Sequence, residues 1–287
     1  MGLRAKFNLV VLAACAVGFL VAALVLYRVV NDNAREQVLQ NARIMMAAAD
    51  AVRSYTANDL VPLLPVEHAG KFVAETVPAF AAQKNFKRLQ DSFSGFAYRE
   101  AALNPTNLAD RAYDWEADII RIFREGERPE VVVERDTPTG RLLHLARPIA
   151  VTPACLSCHS TPSAAPEALT RTYGTANGFG WKPNEVIGAQ IISIPMTLPL
   201  KLAHDAYLTS LIILLVVFAV VIIVLNLLLH FLVIAPVRRV SAMAEAVSLG
   251  NENVESYVKP GKDEVSKLSV AFNRMRESLK HAMDMLK

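Results

Sequence analysis

An α+β domain held between two membrane-spanning helices, with an all-α coiled-coil module after the second, is the architecture this sequence predicts. Three observations lead there. Two apolar runs, Asn8–Val30 and Ala206–Val237, each exceed the roughly 20 residues that cross a bilayer as a helix. Between them, stretches with helical periodicity alternate with short runs rich in Val and Ile. After them, apolar residues recur at steps of three and four. Apolar residues make up 53% of the 287, and their excess sits in the two runs. The net charge of +3 is too small to point to nucleic acid.

Arg4 and Lys6 precede the first run, as in a secretory signal, and "LAAC" ending at Cys15 resembles a lipoprotein cleavage box. The apolar stretch before Cys15 is too short for that, and the run continues far beyond it. An uncleaved anchor is expected, with Cys15 a small apolar residue facing lipid or a partner helix. Arg238 and Arg239 follow the second run, so basic residues at both outer ends place both in the cytoplasm. Arg28, Arg35 and Arg43 reduce the contrast around the first span without reversing it. The expected segments are a cytoplasmic N-terminus (1–7), a first span (8–30), a periplasmic domain (31–206), a second span (207–235) and a cytoplasmic module (236–287). A two-pass protein of the bacterial inner membrane is expected.

The periplasmic segment reads in order as follows. A helix continues from the first span, with Val38, Met45 and Val52 at seven-residue spacing beside Leu39, Met46 and Ala49. Pro62 and Pro65 break it. An alanine-rich helical stretch, 67–90, is interrupted near Pro78. "SGFAYREAAL" reads as a strand and "NPTN" as a turn. "LADRAYDWEADIIRIFREG" reads as a helix with Trp115, Ile119, Ile122 and Phe123 inward and Gly126 as its stop. "EVVVER" and "GRLLHLARPIAV" form a hairpin around "DTPTG". "STPSAAPEA" is a loop and "EVIGAQIISIPM" a further strand.

The loop after the hairpin carries "PACLSCHST", with Cys155, Cys158 and His159 in the order Cys-x-x-Cys-His. Zinc would need a second ligand pair, and the chain's third cysteine lies in the first apolar run. His68 or His144 would have to complete such a site, and neither belongs to a paired motif. A redox dithiol belongs at a helix start in a βαβ context, which is lacking here. The adjacent histidine favours covalent haem c: Cys155 and Cys158 as thioether anchors and His159 as proximal iron ligand.

"YREAALNPTN", "DWEADII", "LARPI", "CLSCHSTP", "YGTANGFGW" and "EVIGAQIISIPM" together resemble the periplasmic c-type haem sensor family with a PAS-like fold, named after a cyanobacterial haem protein. The likeness covers about Val52 to Pro199. It implies a PAS-like sheet around one haem c, often placed before a signalling module.

The cytoplasmic tail agrees. Val240, Ala244 and Val247 mark one amphipathic helix. A connector with Gly250, Val254 and Val258 follows. Val265, Leu268, Phe272, Met275, Leu279, Ala282 and Leu286 mark a heptad seam after Asp263-Glu264. With Pro236, this resembles a HAMP linker, which implies a parallel homodimer with two packings close in energy. No kinase, cyclase or methyl-accepting segment follows within the sequence. The output is then a separate cytoplasmic partner such as a kinase, cyclase or chemotaxis protein, or the chain is a truncated form of a longer receptor.

What stands opposite His159 on the iron would decide the signal. The candidates are His68, His144, Met45, Met46 and Met196, or a position left empty or filled by water. Six protein-supplied ligands favour redox sensing; an open position favours NO, CO or O₂. Arg53, Arg99 and Lys182 could pair with the haem propionates, and Trp115 and Trp181 are core or pocket-wall aromatics. The rival reading is a membrane-anchored monohaem electron-transfer cytochrome, against which the second span and the tail both speak. Enzymatic activity is not expected, since no acid–base constellation accompanies the motif.

Overall fold

Helix α1 (Leu3–Tyr55) carries the first apolar run into the domain without a break. No proline occurs in that stretch and Gly18 is its one glycine, so nothing stops propagation. A π-helical turn, Thr56–Leu60, ends it, with the Thr56 hydroxyl donating to the Val52 carbonyl at 2.8 Å. The computed structural model describes every residue except Met1, Pro65, Val66, Ala69, Glu127, Glu252, Asn253, Leu286 and Lys287. The expected breaker Pro65 and the last seam residue Leu286 therefore lie outside the described residues.

A short hairpin of β1 (Glu67–His68) and β2 (Lys71–Phe72) follows, then a 3-10 turn, Ala74–Thr76. Helix α2 (Pro78–Ser92) begins at the proline that was expected to interrupt it. In the first turn the missing N–H has no intrahelical partner to lose, and the fixed φ favours initiation.

Strand β3 (Ala97–Ala102) leads to a 3-10 turn, Leu108–Asp110, which the Asn107 side chain caps by accepting from Ala109 N at 3.1 Å. That turn delays α3 (Asp114–Glu125) beyond its expected start. Glu116 reaches back to accept from Tyr113 N at 2.8 Å, satisfying a donor at the helix entrance. Ile119, Ile120 and Phe123 are its buried apolar residues, with Glu116 buried beside them, while Ile122 and Trp115 are half-buried. Ile120 thus takes the inward place expected of Ile122.

Strands β4 (Val131–Thr137) and β5 (Gly140–Ala150) form the expected hairpin, paired from Val131↔Ala146 to Thr137↔Gly140. Two short helices, α4 (Leu156–His159) and α5 (Glu167–Tyr173), precede β6 (Val186–Pro195). The sheet is antiparallel throughout, in the order β3-β6-β5-β4.

Strand alternation divides the core. Tyr98, Leu143, Leu145, Ile192 and Ile194 meet α1 and α2 through Val38, Leu39, Ala42, Met46, Ala49, Ala82 and Phe86. Ala101, Ala146, Ala189 and Ile191 meet Ile119, Ile120 and Phe123 of α3. Each fully buried Leu or Ile contributes roughly 1.5–3 kcal/mol. The α1 stripe, open in sequence to a partner helix or the domain, packs on its own sheet.

Polar contacts tie α1 to all four strands or the turn before them. Arg35 pairs with Glu134 of β4 at 2.5 Å, and Arg43 with Glu130 just before β4 at 2.8 Å. Asp50 accepts from Gln190 of β6 at 2.8 Å and from Arg147 of β5 at 3.5 Å. Arg53 pairs with Glu100 of β3. The C-terminal end of α1 is thereby held over the β3 edge.

One residue, Met196, separates β6 from α6 (Thr197–Leu229). A π-helical turn, His230–Ile234, joins α6 to α7 (Ala235–Ser248), and α8 (Glu264–Asp284) follows a non-helical connector. Asp263 caps α8, accepting from Ser266 N at 2.7 Å, and its ion pair with Lys259 holds its carboxyl well below the usual carboxylate range. The chain divides into two compact units, Arg28–Ala206 and Met1–Tyr27 with Tyr207–Lys287. Within the second, Phe19 meets Phe218 edge-on, and Tyr27 meets Tyr207. The two long apolar helices are each of a length and composition that can cross a membrane.

Candidate functional site

Past the end of β5, Pro153 opens a 3-10 turn that runs into α4. Positions i, i+3 and i+4 of a helical turn share one face, so Cys155, Cys158 and His159 come together. Both thiols are free and half-buried; the Cys155 sulfur lies 3.2 Å from the Thr152 hydroxyl.

His159 is held from three sides. Its Nδ1 lies 2.7 Å from the Gly178 carbonyl and 3.3 Å from the Thr106 hydroxyl. A carbonyl only accepts, so the ring proton sits on Nδ1 and the lone pair on Nε2. Trp181 stacks on the ring at 3.9 Å and 15°. Backbone bonds from Gly180 N to Ser160 O (3.0 Å) and Trp181 N to His159 O (3.3 Å) clip the 178–181 segment to the motif. Burial lowers the His159 pKa, partly offset by the Gly178 hydrogen bond, so the ring is neutral at pH 7. Gly178 has φ +80°, and a Cβ there would lie 2.8 Å from the Thr106 Cα and N, so only glycine brings this carbonyl to the ring.

Thr106, Cys155, Cys158, His159 and Trp181 form one wall of a cavity of about 610 Å³, within the range of small-molecule sites. Phe72, Phe80, Ile149, Leu169 and Ile187 supply apolar wall, and the end of α1 with its π turn closes one side through Arg53, Ser54, Ala57 and Val61. Arg53 pairs with Glu100, and the Tyr98 hydroxyl donates to the same carboxylate at 2.6 Å. Burial alone would depress the Arg53 guanidinium; Glu100 more than offsets this and holds it above its ordinary value. Burial, reinforced by the Glu100 charge, pushes the Tyr98 hydroxyl up. Burial likewise raises Asp110, and a 3.0 Å hydrogen bond from Gln83 acts against it. Among the described residues, no three His, Cys, Asp or Glu side chains are grouped so as to hold a bare metal ion.

The arrangement fits a haem held by the motif: two adjacent thiols, a neutral imidazole with a free Nε2 lone pair and a largely apolar chamber share one wall. None of the five candidate second ligands is among the described residues lining the cavity. Met46 and Met196 are buried in the core on the α1 face, and half-buried Met45 packs against it. His68 is exposed in the short hairpin. His144 alternates with Leu143 and Leu145 and so lies on the opposite face, toward α3. Of the basic residues considered for propionates, only Arg53 lines the cavity. Arg99 belongs to the α3 face, with Glu116 at 3.2 Å and the Tyr113 ring at 4.5 Å. Lys182 lies outside the described lining. Trp115 packs against His144, and Trp181 is the wall aromatic. The sequence reading missed Glu100, Asp110, Thr106 and Gly178; strand alternation in "AYREAA" alone could have put Tyr98 and Glu100 on one face.

His144 has its own consequence. It is buried, its Nδ1 is 2.8 Å from the Ser193 hydroxyl, and its Nε2 has no hydrogen-bond partner among the described residues. Burial, with a smaller contribution from the Arg135 charge, pulls its pKa down to about 4. The unfolded chain binds this proton near pH 6.5 and the folded chain only near 4. Stability is therefore expected to fall as pH drops from about 6.5 to 4. Thermal melts of His144→Gln across that window should show a flatter acid slope than the parent; equal slopes would contradict the assignment.

Residues 31–195 match the model of the Tll0287-like family, and residues 228–281 match the HAMP domain. The solved structure described as the cyanobacterial heme-protein Tll0287 is 16% identical to the chain. The alignment covers 55% of this chain and 95% of that one, with a TM-score of 0.44. No curated protein matches. Since the first model covers more than half of the sequence, the chain belongs to the Tll0287-like family and carries a HAMP domain behind that region.

Proposed function

We propose that this is a membrane-bound sensor that carries one haem c and passes a periplasmic redox or diatomic-gas signal to its HAMP domain. The observation that carries the reading is the meeting of Cys155, Cys158 and a neutral His159 in the wall of a single cavity, in a chain that also holds a HAMP domain. Cys155 and Cys158 would anchor the group by thioethers and His159 Nε2 would ligate it, while Gly178 and Trp181 fix the ring. Bound there, haem supplies an iron whose oxidation state or ligation can change. The chain's own residues then relay the change. Arg53 and Glu100 join the cavity to α1, and Met196 alone separates β6 from α6, so a shift of either element acts directly on an apolar helix.

In this reading residues 31–206 form a PAS-like periplasmic domain between two spans of the bacterial inner membrane, and residues 236–287 lie in the cytoplasm. A homodimer is supported by α8. Leu268, Met275 and Leu279 of its seam are about half exposed in the single chain, as expected of residues that a second copy covers. The partner would be a cytoplasmic signalling protein, and the role is relay rather than catalysis.

The test is attachment. Expressed with a cytochrome c maturation system and run on a denaturing gel, the parent should stain for haem and Cys155→Ser/Cys158→Ser should not. An unstained parent band would remove the proposal.

A further inference from the structure

We propose that the cavity receives an uncharged diatomic ligand such as NO or CO at the iron position that His159 leaves open, because the described residues of its wall supply no second protein ligand for iron. This inference rests on the haem reading above and narrows it to ligand sensing. Apart from Cys155, Cys158 and His159, the described residues lining the cavity include no His, Met, Cys or Lys. The two thiols are consumed by attachment, and Cys15 lies in the first apolar run.

The remaining donors are oxygens, and the carboxylates are already engaged. Glu100 accepts from both Arg53 and the Tyr98 hydroxyl, and Asp110 accepts from Gln83. Tyr173 is the one lining tyrosine among the described residues, its ring packed edge-on against Phe72 at 6.0 Å. Drawing in Met46 or Met196 would unpack the core of the α1 face, and His144 would have to pass through the sheet.

Charge selects the class of ligand. Arg53 is the one Arg or Lys among the described lining residues, and Glu100 neutralises it; Asp110 adds a second carboxyl. An entering anion would meet that wall with no free guanidinium or ammonium to receive it, in surroundings where desolvation makes charge expensive. A small uncharged molecule meets Phe72, Phe80, Ile149 and Ile187 without that penalty.

Absorption spectra of the full-length haem-loaded protein in detergent decide the matter. The reduced protein should be high-spin, and CO or NO should move its Soret band to a low-spin position at near-stoichiometric concentration. Azide, an anion at pH 7, should leave the oxidised spectrum unchanged. His68→Gln and Met45→Leu should keep the parent's spectra in both states. A reduced spectrum already low-spin and indifferent to CO would overturn the inference, as would conversion from low-spin to high-spin in either variant. An azide complex formed as readily as the CO complex would overturn the selection for uncharged ligands. Each of these outcomes leaves the denaturing-gel haem stain in place, whereas loss of the stain strikes the haem reading itself.

Discussion

Arg53→Ala is expected to destabilise the domain by about 3–5 kcal/mol, the range for a buried ion pair that loses one partner. The Glu100 side chain is 5% exposed and that of Arg53 27%, so water screens the pair poorly. With Arg53 gone, the Glu100 carboxylate keeps the Tyr98 hydroxyl as a donor but loses its counter-charge. It must then stay charged in a poor solvent or take up a proton. Thermal unfolding followed by circular dichroism reads the loss. Arg53→Met/Glu100→Gln should recover most of it, because neither variant side chain leaves an unpaired charge. A loss under about 1 kcal/mol for Arg53→Ala would place the pair with water-screened surface bridges. The pair also joins the cavity to α1, so the same variants should weaken any response passing along that helix.

Gly178→Ala is expected to cost more than about 2 kcal/mol and to free the His159 ring. The left-handed conformation alone costs a non-glycine residue roughly 1–3 kcal/mol. To this is added the contact with Thr106, whose Cα and N would lie 2.8 Å from the new Cβ. Thr106 presents backbone there, which cannot swing aside as a flexible side chain does. Residue 178 must move, and its carbonyl leaves Nδ1 of His159. Gly180→Ala is the control: it has the same φ of +80° but nothing within 4 Å, so it carries the strain without the collision. The Gly178 variant should melt below the Gly180 variant, and in the haem-free protein only the former should alter the pH at which His159 titrates, read by NMR. Equal melts would show that Thr106 gives way.

Local pattern carried much of the fold and part of the site. Unbroken apolar runs marked both long helices. Short runs that read as strands marked β3, β5 and β6, and "DTPTG" between two such runs marked the β4–β5 hairpin. The sequence marked Cys155, Cys158 and His159 as one motif but read its surroundings as a loop, where the structure has a helical turn. These features depend on neighbours within a few residues, where sterics and periodicity act directly. Pro78 was misread for the same reason: proline breaks a helix interior and starts a helix equally well, and composition alone does not say which side of it the helix lies on.

The contents of the cavity were not legible. Its wall draws on residues from Arg53 to Ile187, and no local rule sets which of them meet. Strand order decided that Glu100 faces α1 while His144 faces α3. A helix packed on the sheet took Met46 out of reach, and a left-handed glycine brought residue 178 to His159. The linear order of residues determined the Cys-x-x-Cys-His motif, the long apolar helices and the helical tail, because each is a short-range pattern. Tertiary packing alone decided what surrounds His159, because burial and charge pairing arise only when segments far apart in the chain share one cavity.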